Sequence, residues 1–174
     1  MRLSLPLFAL LFFVAAARLY GQSPAVFKPD SVKKELVATR IYSSLKIDGH
    51  LDETAWQLAP ASPPFTQIEP VQGAPAAAET SIKVLYDKQH LYIGAFMKDT
   101  LGKKAIRATD FKRDFNHLAH DLLNIGFDGF NDQRNSMSFA TNAYGVQRDY
   151  LGFDALYYDI AWDGLWKVRT SRTD

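Results

Sequence analysis

Two alternating runs joined by a short polar turn constrain this chain more than any other feature. In "TSIKVLYD" the apolar residues Ile82, Val84 and Tyr86 fall on one side, and in "LYIGAFMKD" every second residue from Leu91 to Met97 does so again. The polar tetrapeptide "DKQH" separates the two runs. Because successive side chains of a strand point to opposite faces, this period of two predicts two β-strands paired as an antiparallel hairpin.

Further short strands are predicted downstream, and turn signals separate them. The segments with strand character are "ATRIYSSLK", "HDLLNIGFD", "SMSFATN", "AYGVQRDYLGF" and "AWDGLWKVRT". Only the stretch from Asp99 to His120 is ambiguous, with a short helical excursion as one interpretation. Regularly spaced strands without long helices predict an all-β protein. We therefore expect an antiparallel, jelly-roll-like β-sandwich with one or two short helical turns.

Length and composition fit one globular domain without a nucleic-acid footprint. The chain has 174 residues and a formal net charge of +1, and no stretch forms a basic stripe. There is no cysteine, so the fold must be held by its core, with a bound metal as a further source of stability.

The N-terminal residues have the pattern of a signal peptide. Met1-Arg2 is followed by the apolar run "LSLPLFALLFFVAAA" and then by small residues. About 15 apolar residues are too few to span a bilayer comfortably. We predict a signal peptide over 1–21, an exposed lead-in over 22–37 and the sandwich over 38–174. The product would be periplasmic, displayed on the cell surface or secreted.

The stretch "IDGHLDETAW" predicts a turn followed by one helical turn. Asp48-Gly49 is a common turn dipeptide, and Asp52 is placed to cap the helical turn. Leu51 before the cap and Trp56 inside the helix would then close over the turn as a hydrophobic staple. These five residues, Trp56 included, are predicted to be structural.

The blocks "LKIDGHLDETAWQLAP" and "ETSIKVLYDKQHLYIGAFMKD" resemble the start of family 9 carbohydrate-binding modules. With "FDGFNDQRNSMSFATNAYGVQRD" and "AWDGLWKVRTSRTD", the chain resembles more closely the N-terminal domain of exported Bacteroidota-type proteins that continue into an outer-membrane barrel. The resemblance covers residues 41–174. Relatives continue with a further strand, so it implies a module truncated at its C-terminus.

This resemblance implies noncatalytic carbohydrate binding linked to polysaccharide breakdown, because such modules accompany secreted glycoside hydrolases. A first alternative is a structural or interaction domain of an outer-membrane barrel protein without a glycan ligand. A second alternative is part of a glycoside hydrolase.

Trp162 and Trp166 are the first candidates for contact with a sugar, since pyranose rings stack on flat aromatic faces. Along a strand, however, residues 162, 164, 166 and 168 share one side, while Asp163, Lys167 and Arg169 lie opposite. That alternation is typical of a core-facing strand, and it favours packing, with Gly164 leaving room between two rings.

Polar side chains in two loops are the second set of candidates. They are Asn142, Gln147, Arg148 and Asp149 in one loop, and Gln133, Arg134 and Asn135 in the other. Amide and guanidinium groups suit paired sugar hydroxyls, and loops often carry binding sites. The alternative is a capped turn whose polar groups satisfy one another.

Two groups of residues have the chemistry of metal ligands. Asp128, Asn131 and Asp132 offer the oxygen donors that Ca²⁺ prefers, and the family resemblance implies a structural calcium ion. Turn formation explains the same residues. His117 and His120, with Asp121 beside them, would face a zinc ion if helical, but the zincin motif is absent and a solvated surface pair is favoured.

No motif supports catalysis. The nucleophile elbow, the Walker loop and the dinucleotide-binding glycine pattern are all absent from the sequence. Asp149, Asp154, Asp159 and Asp163 are carboxylates, but nothing in the sequence pairs two of them across a cleft, as glycoside hydrolysis requires. We therefore expect a noncatalytic binding module, and an enzyme stays open as an alternative that no motif supports.

Overall fold

A computed structural model of the chain describes residues 32–154 and 156–172. The chain divides into two compact units. The larger unit, Lys34–Phe65 and Pro75–Asp174, contains seven strands in two sheets, one five-residue helix and two 3-10 turns among its described residues. The predicted all-β class, with two sheets and only short helical turns, is confirmed.

The first sheet contains the predicted hairpin. Its strands are β1 (Thr39–Arg40), β2 (Thr80–Tyr86) and β3 (Leu91–Met97), in the order β1-β2-β3. β2 and β3 are antiparallel, with Leu85 opposite Tyr92, whereas β1 runs parallel to β2. β1 is much shorter than the strand predicted from "ATRIYSSLK", and the one parallel pair departs from the expected antiparallel arrangement.

Asp87 organises the turn between β2 and β3. Its carboxylate accepts hydrogen bonds from the backbone amides of Gln89 and His90 and from the hydroxyl of Tyr92, each between 2.7 and 2.8 Å. These bonds, led by that from Gln89, lower the pKa of Asp87 from 3.8 to about 2. Burial and the bond to Asp87 together raise the pKa of Tyr92.

The hydrophobic core lies on one face of the first sheet. Leu85 and Tyr92 pack there with Ile41, Trp56 and Ala59. Helix α1 (Thr54–Leu58) carries Trp56, which is 5% exposed. A Cβ on Gly94 of β3 would lie 2.8 Å from the Trp56 ring and 3.0 Å from Leu51, so both side chains converge on this glycine.

The prediction that Asp52 caps α1 is wrong by one residue. Glu53 occupies the N-cap with extended backbone, and its side chain makes no capping hydrogen bond. The backbone carbonyl of Glu53 instead accepts the amide hydrogen of Trp56 at 3.0 Å. Burial of Trp56 against β3 therefore sets where this short helix lies, in place of a side-chain cap.

The Asp48-Gly49 turn is closed by the C-terminal part of the described chain. Asp48 accepts the amide hydrogen of His50 at 2.9 Å, and this bond together with Lys46 lowers the pKa of its carboxyl. Gly49 has a φ of +91°, and a Cβ there would lie 2.7 Å from the carbonyl carbon of Thr170. The hydroxyl of Ser171 donates to the Gly49 carbonyl at 2.6 Å.

The second sheet is entirely antiparallel. Its strands are β4 (Leu122–Phe127), β5 (Ser136–Asn142), β6 (Gln147–Phe153) and β7 (Tyr157–Asp159), in that order. The alternation predicted for β4 and β5 is confirmed, since Ile125 lies opposite Phe139 and Phe127 opposite Met137. The face that carries Ile125, Phe139 and Asp149 is called the phenylalanine face below, and the opposite face, with Asn124, Ala140 and Arg148, is called the groove face.

The strand predicted over "AWDGLWKVRT" is not formed, because this segment makes no strand ladder. It crosses the phenylalanine face through side-chain hydrogen bonds: the Gly164 amide donates to the Asp149 carboxylate, and Gln147 Nε2 donates to the Trp166 carbonyl at 3.1 Å. Burial still alternates along the segment, as the strand pattern predicted, although the strand itself is absent. The last strand of the sheet is β7, which the sequence did not predict.

The ambiguous region contains two 3-10 turns, Lys103–Ala105 and His117–Ala119. Asn116 caps the second turn by accepting the Leu118 amide hydrogen at 3.2 Å. Beyond the turn, the His120 side chain is buried against Phe115, with ring centroids 4.5 Å apart. The favoured interpretation of His117 and His120 as a solvated pair is therefore wrong for His120.

The smaller unit includes Thr66–Ala74, a loop closed by a hydrogen bond of 2.7 Å from the Gln67 amide to the Ala74 carbonyl. The predicted signal peptide over 1–21 and most of the lead-in lie outside the described residues, while residues 32–37 are exposed. Within the described ranges, no helix is long and apolar enough to cross a membrane.

Candidate functional site

An open groove lies on the groove face of the second sheet, with a volume of about 170 Å³. All four strands and the turn before β4 contribute to it. Its lining residues are His117, Leu122, Asn124, Ala140, Arg148, Tyr150 and Tyr158. The groove is smaller than the roughly 300–1,000 Å³ of pockets for drug-sized ligands, so it fits a single small ring or the end of a longer chain.

The strand register brings these residues together. Ala140 of β5 lies between Asn124 of β4 and Arg148 of β6 as their paired partner. Tyr158 of β7 pairs with Gly152 of β6. Gly152 follows Tyr150 by two residues, so Tyr150 and Tyr158 lie on the same face. Since paired residues of an antiparallel sheet share a face, all of them project toward the groove.

Two tyrosines form the aromatic part of the groove. The rings of Tyr150 and Tyr158 meet edge to face, with centroids 5.8 Å apart. Asn124 Nδ2 donates a hydrogen bond to the Tyr150 hydroxyl at 3.0 Å and fixes that ring. Tyr158 is 60% exposed and therefore leaves much of the residue open to solvent.

Arg148 forms the positively charged part of the groove. Arg148 is 6% exposed, and its Nη1 donates hydrogen bonds to the backbone carbonyls of Asp114 at 3.2 Å and Phe115 at 2.9 Å. The guanidinium carbon lies 5.7 Å from the centre of the Tyr150 ring, within the range of a cation–π contact. Among the described residues, its buried Nε has no hydrogen-bond partner.

The two predicted tryptophans lie on the other side of the sheet, away from the groove. Trp162 and Trp166 both meet Phe139 edge to face, with centroids 5.7 and 5.4 Å away. Gly164 lies between them, and a Cβ there would come within 2.6 Å of the Phe139 ring. Both tryptophans are half-buried, so the structure places them in a packed aromatic cluster on the phenylalanine face.

Of the predicted loop residues, only Arg148 lines the groove. Asn142 is 1% exposed, and its Oδ1 accepts the amide hydrogens of Tyr144 and Val146 in the turn before β6. Gln147 bridges Trp166 and Arg113 on the phenylalanine face. Asn142 and Gln147 thus use their polar groups within the protein.

The loop after β4 holds the remaining predicted residues and lies apart from the groove. Arg134 is ion-paired with Asp154, with 2.6 Å between Nη2 and Oδ1. Asp128 accepts the amide hydrogens of Asp132 and Gln133, and Asp132 accepts those of Arg134 and Asn135. The hydrogen bonds from the Asn135 and Arg134 amides lower the pKa of Asp132.

This loop does not fit the predicted calcium ion. The carboxylates of Asp128 and Asp132 are directed at backbone amides of their own loop, and Asn131 has a left-handed φ of 54° that suits a turn. In the part of the chain that the structure describes, no cluster of three or more His, Asp or Glu side chains is placed to hold a metal ion.

The zinc interpretation of His117, His120 and Asp121 also finds no matching geometry. His120 bonds through one ring nitrogen to Asn142 Nδ2 and through the other to Thr109 Oγ1, each at 3.1 Å. Asp121 pairs with Arg107 at 3.2 Å. His117 lines the groove instead.

The most buried acid, Asp149, is not available to a substrate. It has no exposed surface, accepts from Arg113 Nη2 at 2.6 Å and from the Gly164 amide, and lies on the phenylalanine face. Asp163 is bound to the same guanidinium at 3.1 Å. These two carboxylates are held by an arginine, whereas hydrolysis needs carboxylates that face a cleft.

Sequence reasoning missed five of the seven lining residues, among them the side chains of Asn124, Tyr150 and Tyr158. Asn124 lies between Leu123 and Ile125 in a predicted strand, and this alternation was the one available signal. Tyr150 follows Asp149, and Tyr158 lies in β7, which the sequence did not predict, so the pairing of four strands decides which of these side chains meet.

Together, an all-β fold of two sheets and an open aromatic groove define a candidate small-ligand binding module. The model of the carbohydrate family 9 binding domain-like family matches residues 47–149. This match spans more than half of the sequence, and the chain belongs to that family. No curated protein and no solved structure matches the chain.

Proposed function

We propose that this chain binds carbohydrate, without transforming it, in the groove of the second sheet. Family membership supports a carbohydrate ligand. The observation that carries the location is the exposed ring of Tyr158, which meets the Tyr150 ring in an open groove that Asn124 also lines.

The groove supplies the two kinds of contact that a sugar ring needs. A pyranose ring has an apolar face of C–H groups, which packs on an aromatic ring such as that of Tyr158. Its edge carries hydroxyls that both donate and accept hydrogen bonds, and the amide of Asn124 and the imidazole of His117 offer partners for them. The groove volume of about 170 Å³ suits one ring at a time.

We further propose that the protein is exported and that it serves polysaccharide breakdown. The apolar N-terminal run supports export through a signal peptide over 1–21, to the periplasm, the cell surface or the medium. A noncatalytic module in that location would serve polysaccharide breakdown by holding an enzyme near its substrate.

A second candidate function, an interaction domain of an outer-membrane barrel protein, is favoured by one apolar surface. Tyr86, Leu91 and Met97 lie on the same face of the first sheet and are 38%, 50% and 50% exposed. Contiguous exposed apolar side chains are typical of protein contacts.

Adjacent tyrosines on β7 provide a matched test of the groove. Calorimetric titration of the full chain with a panel of neutral and acidic oligosaccharides identifies a ligand, which is then titrated into the Tyr158→Ala and Tyr157→Ala variants. Tyr157 is similarly exposed but lies on the phenylalanine face. We expect Tyr158→Ala to weaken binding roughly tenfold, the weight of one aromatic contact, and Tyr157→Ala to leave it unchanged.

Two outcomes would contradict the proposal. A folded chain that binds no saccharide of the panel would exclude carbohydrate binding and favour the interaction domain. Equal losses in the two tyrosine variants would place the binding site outside the groove.

A further inference from the structure

We propose that the groove selects saccharides that carry an anionic group, a uronic-acid carboxylate or a sulfate ester, and that Arg148 is the residue that receives it. This inference rests on the proposed function, because it assumes that the groove binds a saccharide. It adds the chemical class of the ligand.

The charge of Arg148 has no counter-ion among the described residues. No carboxylate oxygen comes within ion-pair distance of its guanidinium there, whereas Arg107, Arg113 and Arg134 each pair with an aspartate. Two acids adjoin Arg148, Asp149 in sequence and Asp114 through its backbone carbonyl, and the contacts of both carboxylates are with Arg113: Asp149 at 2.6 Å and Asp114 Oδ2 at 3.9 Å.

The position of Arg148 makes that missing counter-ion costly. The residue is more than nine-tenths buried, and a buried cation loses hydration that only an opposite charge or a full set of hydrogen bonds replaces. Two backbone carbonyls hold Nη1, but Nε lacks a partner. An anion in the groove would supply the missing charge.

The rest of the groove is suited to an anion as well. The described residues of its lining include no aspartate or glutamate that would repel a negative group. The two carbonyls and the Tyr150 ring hold the guanidinium in a fixed plane before any ligand arrives. A fixed guanidinium binds carboxylate and sulfate oxygens more strongly than neutral hydroxyls, because the hydrogen bonds are charge-assisted.

Wild-type protein provides the first measurement, so the test does not depend on a variant that folds. The full chain is titrated calorimetrically with trigalacturonic acid, its methyl ester, neutral galactotriose and a sulfated galactose disaccharide. We expect an anionic probe to bind at least roughly tenfold more tightly than the neutral ones, and the preference to shrink as salt is added. The preferred probe distinguishes carboxylate from sulfate.

Variants then assign the preference to Arg148. Arg148→Gln removes the charge, Arg148→Lys keeps it, and Lys88→Gln removes an equal charge from the exposed β2–β3 turn as a control. We expect Arg148→Gln to bind anionic and neutral probes alike, Arg148→Lys to keep part of the preference and Lys88→Gln to keep all of it.

Three results would overturn the inference, and they separate it from the proposed function. Equal binding of neutral and anionic probes by the wild type would overturn the anionic class and leave carbohydrate binding intact. Loss of the preference in Lys88→Gln as well would show a general charge effect and not a role of Arg148. Failure of a folded chain to bind any saccharide would overturn both proposals.

Discussion

Arg113 and Asp149 form an ion pair of 2.6 Å in which the carboxylate is completely buried. Asp149 also accepts the Gly164 amide hydrogen, and the same guanidinium reaches Asp163 at 3.1 Å. The buried Asp149 carboxylate of β6 thus binds two other segments, the one before β4 through Arg113 and the one that crosses the phenylalanine face through Gly164.

Asp149→Asn should destabilise the protein, because a fully buried group would exchange its charge-assisted bonds to Arg113 and to the Gly164 amide for weaker neutral ones. We expect the free energy of unfolding to fall by about 3 kcal/mol, measured by urea denaturation. Asp154→Asn breaks the solvent-exposed pair with Arg134 and should cost less than about 1 kcal/mol. Similar losses in the two variants would show that the Asp149 pair contributes no more than a surface pair.

Gly164→Ala should disturb the aromatic cluster on the phenylalanine face. Its Cβ would lie 2.6 Å from the Phe139 ring and 3.0 Å from that of Trp162. We expect a loss of about 1–3 kcal/mol from overpacking, together with a change in the near-ultraviolet circular dichroism of the tryptophans.

Gly126→Ala is the control for this change, since a Cβ there meets only the Ser138 hydroxyl at an ordinary 3.6 Å. It should alter neither the stability nor the tryptophan spectrum appreciably. An unchanged tryptophan spectrum in Gly164→Ala would mean that the rings do not pack around this glycine.

Gly49→Ala should destabilise the fold through its backbone conformation and through a steric clash. Gly102→Ala has only the first of these effects and therefore serves to separate them. Both glycines have a left-handed φ, +91° and +74°, but a Cβ on Gly49 would also collide with the backbone of Thr170 and Ser171, whereas Gly102 has open space around it. We expect a loss of about 1 kcal/mol for Gly102→Ala, from the backbone conformation alone. The loss for Gly49→Ala, in the same urea titration, should be clearly larger, and equal losses would argue against the close approach of the C-terminal segment.

Asp87 should make the stability of the β2–β3 hairpin fall in acid. Its pKa lies near 2 in the folded protein against 3.8 ordinarily, so the folded state favours the ionised carboxylate. The resulting stabilisation is complete above about pH 5 and is lost as the pH falls through about 2, because below that pH both states are protonated.

Comparison with Asp87→Asn isolates this effect. The difference in the free energy of unfolding between wild type and variant should be largest near about pH 5 and should shrink steadily toward about pH 2. Asp48 and Asp132, whose pKa values are also lowered, are present in both proteins and cancel in the difference. A difference that stays constant with pH would exclude the ionised Asp87 carboxylate as its source.

The strands were predictable where one local pattern determines them. The alternation around Ile82 and Leu91, and again around Ile125 and Phe139, defines strands that the structure confirms. Trp162 to Val168 shows the limit of the same reasoning. Its burial alternates like that of a strand, but side chains of β6 hydrogen-bond its backbone groups where a neighbouring strand would do so in a sheet. No local sequence pattern reveals this difference.

The groove was less predictable, because it depends on register between strands. Asn124, Tyr150 and Tyr158 are far apart in sequence and meet only when β4 to β7 align. Arg148 was identified from its residue type. Its burial and its missing counter-ion became visible only with the structure, since they depend on where Asp114 and Asp149 point.

The contact between Gly49 and Ser171 has a consequence for how the protein is made. The two residues are separated by 122 positions, so the contact that closes the turn after the first strand cannot form until Ser171 has been synthesised. Loop closure over that distance is entropically costly, and folding slows as contacts become less local. During translation the β2–β3 hairpin is able to pair as soon as it emerges, whereas the contact at Gly49 must wait for the much later Ser171.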